Sequence, residues 1–171
     1  MSNDKCYNSA MLFSPCGDGP ALYHKRALWG WDINNFTEGI SGGVWTMGKY
    51  KIGVRICYEL RFPEYFRELY KAKVDFVVVM LNDTSKAEDV ERYELIKAHL
   101  RTRAVENVCT VISVNDSSAY QMAPTAVIDF NGNVVGELQR DTEGLLVYDF
   151  QAIQLPYFAQ GRKVISDKLV K

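Results

Sequence analysis

An α/β fold, a mixed αβ sandwich, is what the sequence predicts, on three observations. A strand, helix, strand run occupies Tyr50 to Leu81. A second long helical period, Ala87 to Asn107, is followed at once by another β-branched strand, and an Asn131-Gly132-Asn133 turn separates two apolar stretches further on. Alternation of strands with helical segments is the pattern of a sheet covered by helices rather than of an all-helical or all-β domain.

The elements follow in order. Tyr7 to Ser14, the turn Cys16-Gly17-Asp18-Gly19-Pro20 and Ala21 to His24 predict a hairpin, with no helix before it. In Tyr50 to Cys57, apolar Ile52, Val54 and Ile56 alternate with Lys51, Gly53 and Arg55, which is a strand with one buried face. Pro63 suits a first helical position, and Phe66, Leu69 and Tyr70 recur behind it at helical spacing as far as about Lys73. Val74 to Leu81 is a nearly continuous β-branched run of the kind a parallel sheet buries on both faces. Val90, Tyr93, Ile96, Leu100 and Ala104 repeat every three or four residues, with acidic residues in the first turn, and predict a helix from Ala87 to Asn107. Val108 to Val114 is a third core strand, and the polar Asn115 to Gln121 loop after it is placed to border a site. Thr125 to Phe130 and Val134 to Leu138 flank the glycine turn as a hairpin, and Gly144 to Phe150 predicts one more strand. Beyond Gln151 no compact element is expected, and the tail is assigned to a partner subunit.

Composition narrows the function classes. Hydrophobic residues make up 47% and charged residues 24% of the 171, the balance of one soluble globular domain over 1–171. The net charge of −1 gives no global basic field for nucleic acid or anionic lipid. The apolar runs are far shorter than the roughly 20 residues of a spanning helix, so no membrane partner is expected. The amino end lacks a basic start with an apolar stretch behind it, and the cytoplasm is the expected compartment. Cys6, Cys16, Cys57 and Cys109 form no close pair, and with only two histidines, His24 and His99, neither a metal nor another cofactor is expected.

Cys57 is the informative residue. A thiol at the carboxyl end of a buried strand, just before a turn into a helix, is held on rigid backbone in the geometry that nucleophiles use. The N–H of Tyr58 is offered to a developing oxyanion, and a helix amino end and a cation nearby favour thiolate. A free cysteine is also among the most buried residue types and behaves as a small hydrophobe, and Cys6, Cys16 and Cys109 keep that assignment. Glu59 and Arg61 flank Cys57 and are expected to orient neighbours or to close the turn by a charge-assisted pair. Asn82 and Asp83 follow the next strand, at the sheet end where α/β proteins bind ligands.

Gly53-Val54-Arg55-Ile56-Cys57-Tyr58-Glu59-Leu60-Arg61-Phe62-Pro63-Glu64 resembles the nucleophile motif of the nitrilase, or carbon-nitrogen hydrolase, superfamily. Tyr23-His24-Lys25 with Leu28, Phe36-Thr37-Glu38-Gly39, Arg101 to Asn107, Asn115, and Asp129-Phe130-Asn131-Gly132 match further motifs in the family's order, across almost the whole chain. The resemblance implies a thiol attack on the carbon of an amide, nitrile or carbamoyl group of a small molecule, and a thioester-type intermediate that water hydrolyses. Cys57 would be the nucleophile, Lys25 would stabilise the oxyanion with the Tyr58 N–H, and Asp32 would stand where the family has a carboxylate after the lysine. It implies a nitrilase-like αββα sandwich, of which this chain supplies an incomplete two-layer α-β half that dimerises, with Tyr157, Phe158 and Arg162 as tail contacts. The family's general-base glutamate precedes the hairpin and has no match here. Two readings therefore stand side by side: a carbon-nitrogen hydrolase lacking its amino-terminal part, and an inactive scaffold or interaction subunit that keeps the fold.

Overall fold

The computed structural model describes residues 5–17, 19–152 and 154–170. A hairpin opens it, β1 (Ser9–Leu12) against β2 (Ala21–His24); Asp18 of its turn lies outside the described residues. One helical turn, α1 (Asp32–Asn35), leads to a six-stranded sheet in the order β3-β4-β5-β6-β7-β8. Its strands are β3 (Val44–Met47), β4 (Tyr50–Ile56), β5 (Phe76–Met80), β6 (Thr110–Val114), β7 (Ala126–Ile128) and β8 (Val134–Glu137). The three central strands β4, β5 and β6 run parallel, and β3, β7 and β8 are joined antiparallel at the sides. Both crossovers are helical: α2 (Pro63–Lys71) between β4 and β5, and α3 (Val90–Asn107) between β5 and β6.

Side-chain alternation splits the core in two. Val77, Val79 and Val111 face the helices and pack with Phe66, Leu69, Ile96 and Leu100. Ile52, Val54 and Ile56 face the other way, onto Ala10 and Tyr23 of the hairpin. Gly53 is needed where α2 approaches β4 most closely, because a Cβ there would lie 2.7 Å from Leu69 Cδ1. The mixed α/β architecture is the one predicted, as a helical layer on one sheet face with the hairpin on part of the other.

Three elements differ from expectation. Gly144 to Phe150 forms no strand: among the described residues its backbone pairs with no neighbour, while Leu146 lies over Gly136 and Phe150 packs on Phe76 at 4.9 Å between ring centroids. Apolar content there comes from a segment crossing the sheet's surface rather than extending it. The tail instead forms a helix, α4 (Tyr157–Leu169), begun after Pro156. It docks on its own chain, with Tyr70 donating to Asp167 Oδ1 at 2.6 Å and Arg162 Nη2 donating to the Phe130 carbonyl at 3.0 Å and to Asn131 Oδ1 at 2.9 Å. Arg162 is thus spent within the chain, whereas Tyr157 and Phe158 are exposed. The edge strand β3, not anticipated, follows Gly43, whose φ of +65° brings it beside Tyr23 and Arg55 with no room for a Cβ.

Candidate active site

The chain leaves β4 through a single strained residue. Cys57 has φ +48°, a left-handed conformation that costs a non-glycine residue about 1–2 kcal/mol, and it starts a 3₁₀ turn, Cys57–Arg61. Buried groups hold that turn in place. The Glu59 carboxylate, 0% exposed, accepts from the Ile56 N–H, the Tyr23 hydroxyl and the Arg26 N–H at 2.7 Å each, and from the Ala27 N–H at 3.4 Å. On the far side, Arg103 Nε donates to the Leu60 carbonyl and Nη2 to the Arg61 carbonyl, both at 3.0 Å. Arg103 is itself held by Glu106 at 2.9 Å.

Lys25 follows β2. Its N–H donates to the Asn8 carbonyl at 2.8 Å, and its carbonyl accepts from the Gly39 N–H at 2.9 Å. Gly39 has to be glycine, since a Cβ would fall 2.0 Å from the His24 carbonyl oxygen. The Lys25 ammonium is 4% exposed by residue and is fixed by Asp32 Oδ2 at 2.5 Å. Asp32, in the first position of α1, is therefore the partner of the lysine, and its shorter reach is met by direct contact.

A cleft of about 710 Å³ opens at the carboxyl ends of β4 and β5. Lys25, Asp32, Cys57, Tyr58, Arg61, Asn82 and Asp83 all line it. Glu59 alone of the predicted residues stands behind the cleft, and among the described residues it makes no hydrogen bond or ion pair with Lys25 or Arg61. By taking Ile56, Arg26 and Ala27 N–H groups on one carboxylate it ties the lysine's segment to the cysteine's turn. The Tyr58 ring stacks on Trp29 with centroids 5.0 Å apart, closing one wall.

Burial pushes the Cys57 thiol up, and this outweighs the Lys25 ammonium and the Asn82 backbone N–H, which pull it down; Asp83 and Asp32 also push it up. Local charge from Lys25 favours thiolate as expected, but desolvation is the larger effect. Asp32 is paired with Lys25, and Asp83 Oδ1 accepts from Arg92 Nη2 at 2.8 Å. Among the described residues the Arg61 guanidinium has no hydrogen-bond or ionic partner, although Arg61 lines the cleft. Among the described residues there is also no group of three or more His, Cys, Asp and Glu side chains able to hold a metal, and no helix long and apolar enough to cross a membrane.

Two contributors stand outside the predicted site residues. Arg103 lies within the Arg101 to Asn107 motif match without a role of its own, although a charge at a core-facing position of the helical period signals that a buried carbonyl needs a donor. Arg92 sits in the polar first turn of α3, where nothing in the sequence sets it apart.

A thiol on a strained turn at the end of a parallel strand, beside a buried lysine held by a carboxylate, lines a cleft at the carboxyl edge of an α/β sheet. The chain belongs to the carbon-nitrogen hydrolase family, whose pattern matches residues 2–157. It is 32% identical over 122 residues to a deaminated glutathione amidase of Synechocystis sp. (strain PCC 6803), covering 64% of this chain and 43% of that protein. Its fold is similar to that of a carbon-nitrogen hydrolase superfamily protein from Xanthomonas campestris (TM-score 0.69, 25% identity, 82% of this chain and 56% of the other). It is similar also to the NitN amidase from Nesterenkonia sp. AN1 (TM-score 0.70, 24% identity, 94% and 62%). The chain spans 43% of the Synechocystis amidase's length.

Proposed function

We propose that this chain carries the nucleophile and oxyanion side of a site that hydrolyses a non-peptide carbon–nitrogen bond in a small molecule. The observation that carries this reading is the convergence of Cys57, Lys25 and the start of the 3₁₀ turn on one cleft. Cys57 Sγ attacks the carbon of an amide, nitrile or carbamoyl group. For an amide, the carbonyl oxygen becomes an oxyanion facing the Lys25 ammonium and the Tyr58 N–H, a fixed pair of donors of the kind worth about 10² to 10³ in rate. The thiol proton leaves with the amine as the C–N bond breaks, and water then cleaves the thioester to return the thiol. The amidase named among the relatives makes an amide the first substrate class to try. A cationic Arg61 without a partner favours substrates that also carry an anionic group.

One observation favours the non-catalytic reading. Burial disfavours the thiolate, and both carboxylates lining the cleft are engaged by cations, so neither is a free base. We propose further that the chain self-associates, supported by the exposed apolar residues Tyr157, Val164, Ile165 and Leu169 on α4.

Intact-mass spectrometry after incubation with small amides, nitriles and iodoacetamide tests the site. A single adduct on Cys57 with the other cysteines spared is the expected outcome. Labelling of exposed Cys6 and Cys16 in preference to Cys57 would remove the nucleophile assignment and leave the scaffold reading.

A further inference from the structure

Asn115 belongs to none of the catalytic parts above and does not line the cleft, yet all of its polar groups are engaged close to it. The parallel pairing of β5 and β6 ends at Met80 and Val114, with one last rung from the Leu81 N–H to the Val114 carbonyl at 2.8 Å. Beyond that rung the two chains part, as adjacent parallel strands do where a ligand crevice opens. The Asn115 side chain spans the gap. Its Oδ1 accepts from the Asp83 N–H at 2.9 Å, and its Nδ2 donates to the Asp83 carbonyl at 3.1 Å and to the Ala123 carbonyl at 2.9 Å. The side-chain amide thus does for Asp83 what a peptide unit of β6 would have done had the ladder continued.

We propose that Asn115 is a positioning residue for the nucleophile site, clamping the Asp83 backbone so that the Asn82 N–H and the Asp83 carboxylate are held beside Cys57. Asn82 lies between two fixed points, the Leu81 rung and the Asp83 clamp, so its peptide plane has little freedom to turn. The Asp83 carbonyl is also met by the Met122 N–H at 2.8 Å, and the Ser85 N–H reaches the Tyr120 carbonyl at 3.1 Å, so the clamp is the first of several ties to the 115–122 loop. Arg92 then fixes the Asp83 carboxylate. The residue type is demanded by the bonding: aspartate has no N–H to give the two carbonyls, and glutamine is a methylene too long. This account also gives the Asn115 to Gln121 loop, expected to border the site, a role one layer behind it.

The inference rests on the reading of Cys57 as nucleophile, and its test separates the two. The rate of Cys57 alkylation by iodoacetamide is followed against pH by peptide mass spectrometry in the parent chain and in Asn115→Ala, with exposed Cys6 and Cys16 as internal references. Loosening the Asp83 backbone frees both the Asn82 N–H, which favours thiolate, and the Asp83 carboxylate, which opposes it, so the Cys57 profile shifts by about half a pH unit, upward if the N–H moves further and downward if the carboxylate does, while the references stay put. A folded Asn115→Ala chain with an unmoved Cys57 profile overturns the role of Asn115 and leaves the nucleophile reading intact. A parent chain in which Cys57 is not selectively labelled brings down both. Should Asn115→Ala fail to fold, amide hydrogen exchange on the parent decides: the Asp83 amide is expected to be protected to about the degree of the Leu81 amide, and fast exchange at Asp83 overturns the clamp.

Discussion

Two thiols of this chain, Cys57 and Cys109, sit at opposite ends of the parallel sheet and show what makes a cysteine chemical. Cys109 lies just before β6, at the sheet's amino end, packed among Leu69, Val77 and Ala104. Burial and the Glu106 carboxylate push it up to about 12, although Lys73 and Lys163 share the small cavity it lines. Cys57 follows β4 at the carboxyl end, where strands diverge into turns, and there burial is opposed by the Lys25 ammonium and the Asn82 N–H. Both thiols are desolvated. Both also line a cavity, about 260 Å³ at Cys109 and about 710 Å³ at Cys57, but it is Cys57 that the Lys25 ammonium and the Asn82 N–H act on.

The largest expected effect tests that contrast directly. On the proposed function, Cys57→Ala abolishes turnover and adduct formation, whereas Cys109→Ala leaves both and costs about 1–2 kcal/mol of stability through lost packing. Steady-state assay and chemical denaturation of the two variants check this; equal loss of turnover in both would erase the distinction. Next in size is Lys25→Met, which removes the cation proposed to face the oxyanion and takes Asp32's partner away. The rate falls about 10² to 10³ while substrate binding changes less, read as a drop in kcat with KM nearly kept.

Glu59→Gln comes third and acts on the scaffold. One carboxylate now satisfies backbone groups from Arg26, Ala27 and Ile56 together with the Tyr23 hydroxyl. The amide turns an NH₂ toward groups that are themselves donors, leaving buried N–H unmet and costing about 2–4 kcal/mol in urea unfolding. A loss below about 0.5 kcal/mol would show that the lysine segment and the cysteine turn hold without it.

The extent to which the sequence foretold this arrangement follows from how local each signal is. The strand ending at Cys57, Pro63 at the start of α2 and the period of α3 are set by neighbours in the chain, and the elements lie where expected. Lys25 and Asp32 were placed through motif resemblance, and the structure joins them at 2.5 Å. What sequence could not show is non-local. Glu59 reads as a group that orients neighbours or closes the turn, and its actual partners show only when Tyr23 and Arg26 are brought against it; Asn115 reads as a motif match, and its part shows only where β5 and β6 diverge. Gly144 to Phe150 has strand composition but no partner strand, and α4 lies in a tail whose helical face is defined by Tyr70 and Phe130, far away in sequence.

The smallest effect is the most discriminating, because it separates the thiols by pH alone. In the folded chain both ionise above their ordinary value, so the native state holds its proton where the unfolded chain has lost one. Stability therefore falls as pH rises, from the ordinary thiol range upward to the folded value, which for Cys109 is about 12. Below the ordinary range neither thiol contributes a slope. Cys109→Ala should flatten that alkaline decline in urea midpoints measured at successive pH values. Cys57→Ala should flatten it less, since Lys25 and the Asn82 N–H already offset part of the desolvation. If the two substitutions flatten the curve equally, the donors at the diverging end of the sheet do not reach the sulfur, and the chemical distinction between the two cysteines reduces to access alone.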